Sequence, residues 1–130
     1  MLQSNKNFPL IVSGVVIIII GLIYGLVPDQ SIPYFFDFQP ETIDLRNILR
    51  AQMLLCIGFG AYWLYGAFHE SHMKSATISL LIFMGFLALG RFISFLFDGF
   101  SDPYFKGFIL ELALFWWALL TYLKPRTAQQ

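Results

Sequence analysis

Charge is scarce in this sequence, and so is cysteine. Of 130 residues only 12% are Asp, Glu, Lys or Arg, about half the share that a soluble domain carries. The eight basic and eight acidic side chains cancel to a formal net charge of zero. No basic field is therefore offered to nucleic acid, and no run of like charge marks a tail. The single cysteine, Cys56, cannot close an intramolecular disulfide and lies in an apolar run, where a thiol serves as a small packing group. No phosphate-cradling glycine loop is present. The string His69-Glu70-Ser71-His72 lacks the spacing of H-E-x-x-H and reads as a solvated loop rather than a metal site. No metal or cofactor is expected.

What is abundant is apolar surface. Hydrophobic residues make up 58% of the chain and aromatic residues 18%, and the mean hydropathy is +0.69. A core this small cannot hide so much oil, which belongs in lipid. Four segments reach the roughly 20 helical residues that span a bilayer: 8–27, 45–68, 75–97 and 104–123. The fold expected is all-α, a polytopic membrane protein with four transmembrane helices in one bundle, a single domain over 1–130.

The first run, FPLIVSGVVIIIIGLIYGLV, carries no charge. It is too long for a signal-peptide core and has no small-x-small cleavage site after it, so it reads as a retained helix. The connection that follows, PDQSIPYFFDFQPETID, holds Pro28, Pro33 and Pro40, which excludes one continuous helix. Its Tyr34, Phe35, Phe36 and Phe38 point to a segment at headgroup level, with Thr42 or Asp44 capping the next helix.

Lys6, Lys74, Lys124 and Arg126 fall at one end of such a bundle, while Asp29, Asp37, Glu41, Asp44, Asp98 and Asp102 fall at the other, together with Arg46 and Lys106. The positive-inside rule then puts both termini in the cytoplasm.

With that threading, three charges far apart in sequence come to similar depth. Arg50, Arg91 and Glu111 each lie roughly 9 to 12 Å below the outer helix ends at 1.5 Å per residue. Arg46 and Arg50 share one face of the second span, Arg91, Ser94 and Asp98 one face of the third, and Gly107, Glu111 and Ala118 one face of the fourth. Small residues at Gly90, Gly107 and Ala118 would let backbones approach. A buried guanidinium or carboxylate is costly without a partner. One carboxylate, Glu111, then faces two guanidiniums, leaving an excess of positive charge unless Asp98 turns inward.

Arg50-Ala51-Gln52 at the start of the second span, Gly90-Arg91-x-x-Ser94-x-x-x-Asp98-Gly99 at the end of the third, and Glu111-Leu112 in the fourth resemble a family of small four-helix bacterial membrane proteins, the domain of unknown function 4345. Its architecture is distantly similar to the DoxX-type membrane proteins. The stretch Phe100-Ser101-Asp102-Pro103 approaches its proline over a slightly longer path than the family pattern. The resemblance implies a four-helix protein of the bacterial inner membrane and supplies no activity.

Two readings of the cluster follow. In one, Arg50, Arg91 and Glu111, supported by Arg46, Ser94 and Asp98, bind the head of an anionic lipid or a quinone-like amphiphile, since a guanidinium holds two acceptor oxygens at once and stays charged in low dielectric. In the other they form an interhelical ion-pair lock in a structural or assembly subunit. The partners expected are the bilayer itself, such an amphiphile, and a second copy or another membrane protein. Transport would need polar groups continuing to the inner side, where only Gln52, Cys56, Tyr62 and Tyr65 of the second span, Ser75, Thr77 and Ser79 of the third and Thr121 of the fourth occur, groups that commonly bond to backbone. Acid/base catalysis lacks a second intramembrane group beside Glu111.

Overall fold

The computed structural model describes residues 4–124; Arg126 lies outside them. It contains α1 (Ser4–Gly25), α2 (Pro28–Phe35), α3 (Ile43–Phe68), α4 (Glu70–Phe97) and α5 (Asp102–Leu123), with no strand among the described residues. All but α2 are long and apolar enough to cross a membrane. The expected bundle of four spanning helices is therefore present. Helix α3 packs on α1 and α4, α4 packs on α5, and α5 closes back on α1.

Glycine sets the α1–α3 distance. A Cβ added at Gly14 would lie 2.9 Å from the Gly60 carbonyl oxygen, one at Gly60 would lie 2.8 Å from the Gly14 carbonyl, and one at Gly25 would lie 2.7 Å from the Leu49 carbonyl. The two backbones touch along the seam, which only residues without a side chain permit. Gly90 behaves differently from expectation: nothing stands within 4 Å of where its Cβ would be. That edge of α4 looks outward, so the residue brings no backbones together.

The main core joins Leu10, Ile17, Cys56, Trp63, Leu80, Met84 and Ala118. Trp63 is fully buried, and its indole N–H donates to Ser79 Oγ at 3.0 Å. The inner hydroxyls bond mostly within their own helix, Thr77 to the Met73 carbonyl and Ser79 to the Ala76 carbonyl, both at 2.8 Å. Trp116 and Trp117 turn outward and are exposed.

The turn between α3 and α4 is shorter than expected. His69 alone separates the helices, and Glu70 to Lys74 already belong to α4 rather than to a loop. His69 has extended backbone and its Nδ1 donates to the Tyr65 carbonyl at 2.8 Å, while its ring stacks on Tyr65 at 3.9 Å. A helix end satisfied this way needs no further loop residues.

Part of the first connection is helical. Pro28 opens α2, where its missing N–H costs nothing, and the chain leaves the helix at Phe36. The segment then crosses the end of the bundle, with Ile32 and Pro40 fully buried. Of the four aromatics, Tyr34 and Phe35 are exposed, whereas Phe36 and Phe38 pack on a second small core of Tyr24, Ile32 and Leu49. Thr42 Oγ1 accepts from the Leu45 N–H at 3.0 Å, so Thr42 caps α3.

Candidate functional site

Arg91 stands six residues before the end of α4 and Glu111 nine residues into α5, about 9 and 14 Å from those helix ends at 1.5 Å per residue. Antiparallel packing brings them together. Arg91 Nε donates to both carboxylate oxygens, at 2.8 and 2.9 Å, and a terminal nitrogen lies 2.8 Å from Oε1. The side chains are 15% and 7% exposed. Gly107, one turn above Glu111, leaves the space that Arg91 fills: a Cβ there would lie 3.8 Å from Nε.

Aromatic rings cover the pair. The Arg91 guanidinium carbon lies 5.0 Å from the centre of the Tyr104 ring, a cation–π distance. Tyr104 stacks on Phe36 at 4.9 Å, and Phe36 on Tyr24 at 5.4 Å. Phe36 thus fills a slot between a tyrosine in the last turn of α1 and one in the first turn of α5. The sequence pattern did not single out Tyr24 and Tyr104; their position at the ends of two spans was the available signal.

Arg50 does not join this cluster. One of its terminal nitrogens donates to the Gly25 carbonyl at 3.0 Å and approaches the Leu26 carbonyl at 3.5 Å. These are unpaired acceptors at the C-terminal end of α1, where a cation is favoured. The close α1–α3 seam at Gly25 delivers them. Among the described residues Arg50 has no carboxylate within ion-pair distance, so the expected two guanidiniums on one carboxylate become one on one. Arg46 pairs instead with Asp29 of α2 at 3.1 Å, with side chains 39% and 61% exposed.

Ser94 and Asp98 serve the end of α4. Ser94 Oγ donates to Asp98 Oδ2 at 2.9 Å, the Asp98 N–H bonds the Ser94 carbonyl at 2.7 Å, and Gly99 follows with φ +110°, which favours glycine. Asp98 therefore stays with Ser94 rather than turning inward to balance charge. The Gly-Arg-x-x-Ser-x-x-x-Asp-Gly motif divides into an ion-pair arginine and a helix stop.

A cavity of about 10 Å³ lies beside Arg91 and Glu111, walled also by Gln52, Cys56 and Leu114. That is room for about one water and far below the roughly 300 to 1,000 Å³ of a small-molecule site. A groove of about 450 Å³ lies between α1 and α2, walled by Leu22, Leu26, Val27, Gln30, Tyr34 and Phe35.

The family model described as Domain of unknown function (DUF4345) matches residues 6–122. No curated protein and no solved structure matches the chain.

Proposed function

The chain belongs to the DUF4345 family, and on that premise we propose that it is a small structural or assembly subunit of the bacterial inner membrane, with both termini cytoplasmic. In this reading Arg91 and Glu111 lock α4 to α5. The observation that carries it is the three-contact pairing of a buried Glu111 with a largely buried Arg91 under the Tyr104 ring, on which Phe36 stacks. A pair so satisfied fixes which helix faces meet, because a slipped register strands a charge in a low-dielectric interior. Gly58 and Gly90, which have open space in front of them, leave room for the helix of a second copy or another membrane protein. Lys6 and Lys74 at one end, against the acidic residues at the other, support the orientation.

A second reading makes the pair a receptor for the head of an anionic lipid or a quinone-like amphiphile. It draws on the capacity of a guanidinium to hold two acceptor oxygens at once, and it requires Phe36 to leave its slot, since the cavity beside the pair admits no ring. A double-mutant cycle on the full chain in mild detergent separates the two, with Arg91→Met, Glu111→Leu and the double variant followed by unfolding and by native mass spectrometry. The lock predicts that the double variant recovers most of the stability lost in either single one, with the mass of retained lipid or quinone unchanged. If the double variant folds but loses a defined bound mass, the receptor reading replaces the lock.

A further inference from the structure

Each of the four spanning helices sends one polar side chain to the wall of the small cavity beside the ion pair. Tyr24 comes from α1, Gln52 from α3, Arg91 from α4 and Glu111 from α5. Apart from Cys56, the rest of the wall is apolar, with Met84 and Leu114 among it. Depth sets Gln52 level with Glu111. Gln52 stands nine residues after Ile43, where α3 begins, and Glu111 nine residues after Asp102, where α5 begins. The two helices run in the same direction, so both side chains leave the backbone about 14 Å below one end of the bundle at 1.5 Å per residue. Gln52 also lies on the inward stripe of α3, with Cys56 and Trp63 four and eleven positions further on and both buried. No hydrogen bond among the described residues engages its amide. At that depth lipid offers it none.

We infer that this cavity is a binding site for one ordered water, which joins the Gln52 amide to the Glu111 carboxylate and so ties α3 to the α4–α5 pair. The cavity volume of about 10 Å³ is close to that of one water and excludes anything larger. Its polar wall meets the roughly two to four partners that a buried water needs. Glu111 has acceptor capacity to spare: Arg91 makes three contacts with it, and a carboxylate has about four lone-pair positions. The water donates to that carboxylate and bonds the Gln52 amide, with Tyr24 and Arg91 as its further neighbours. This rests on the reading of Arg91 and Glu111 as a lock and deepens it. A slip of α3 then costs hydrogen bonds as well, so the pair specifies the register of three helices rather than two. Gln52 is a positioning residue that acts on the pair through the water.

A crystal structure of the full chain, at a resolution that shows ordered waters, tests this directly. One water within hydrogen-bond distance of both the Gln52 amide and the Glu111 carboxylate is expected. A dry cavity, or a Gln52 amide bonded straight to Glu111, overturns the site. Unfolding in mild detergent gives a second test. Gln52→Met, which keeps the length of the side chain and loses its amide, is expected to raise the unfolding equilibrium constant about tenfold, the weight of one buried hydrogen bond. In the Arg91→Met/Glu111→Leu background, which leaves the water no charged partner, the same change is expected to have almost no effect. An equal loss in both backgrounds overturns the bridge, since Gln52 then acts by packing alone. The lock is judged separately, by the coupling of Arg91→Met with Glu111→Leu, so a failure of one reading is distinguishable from a failure of the other. If Gln52→Met does not fold, the wild-type crystal structure decides.

Discussion

Two arginine–carboxylate pairs of similar length hold this bundle at different places. Arg91–Glu111, at 2.8 Å, joins α4 to α5 with side chains 15% and 7% exposed, and Arg46–Asp29, at 3.1 Å, joins α3 to α2 with side chains 39% and 61% exposed. Distance barely separates them; surroundings do. At the exposed pair each charge can be solvated when its partner is lost, so the contact contributes about 0 to 1 kcal/mol. At the buried pair a lost partner leaves a charge in a low-dielectric interior, and that strands several kcal/mol. The same contrast divides the molecule into a closed α4–α5 side under Tyr104 and Phe36 and an open α1–α2 side with an apolar groove.

The largest expected effect sharpens that contrast directly. Arg91→Gln is expected to lower stability by about 3 to 5 kcal/mol. Arg50→Gln, which removes only a contact with the end of α1, is expected to cost about 1 kcal/mol or less. Reversible unfolding of both variants in the same detergent decides it, and equal losses would erase the division into closed and open sides.

A middle-sized effect tests the seam that delivers the α1 carbonyls to Arg50. Gly60→Ala puts a methyl 2.5 Å from Ile18 Cγ1 and 2.8 Å from the Gly14 carbonyl, an overpacking expected to cost about 1 to 3 kcal/mol. Gly58→Ala, two residues away with open space before it, is expected to be neutral or slightly stabilising, because alanine suits a helix better. Thermal midpoints of the two variants should move in opposite directions or differ widely.

The smallest effect concerns the strap over the closed side. Thr42→Ala removes the oxygen that accepts from the Leu45 N–H and is expected to cost about 1 kcal/mol. Hydrogen exchange should show the first turn of α3 opening more often, with the amides around Arg91 unchanged. Faster exchange at Arg91 as well would mean that the cap and the lock act as one unit.

Much of the architecture was readable from the chain. The four spans follow from runs of about 20 apolar residues; the observed ends at Phe68, Phe97 and Leu123 coincide with those of the runs, and the others lie two to five residues away. The meeting of Arg91 and Glu111 was also readable, because two charges at similar depth in an apolar bundle each need a partner and have few to choose from. Arg50 was not, for a physical reason: its partners are backbone carbonyls, which every residue carries, and nothing in residue identity marks those of Gly25 and Leu26 as near. The inward turn of Phe36 and Phe38 beside the outward Tyr34 and Phe35 was equally hidden, since all four are aromatic and only packing sorts them.

Residue identity by itself determined that this protein is a helical membrane bundle and that Arg91 and Glu111 cannot be left alone in it, because transfer out of water depends on side-chain chemistry and run length. Tertiary structure decided that Glu111 answers one arginine and not two, that Ser94 and Asp98 end a helix, and that Phe36 closes over the pair. The Ser94–Asp98 contact is local to the end of α4, whereas the other two outcomes depend on how nearly α1 and α3 touch at their glycines and on how the segment after α2 crosses the bundle end, both set by packing between segments far apart in the chain.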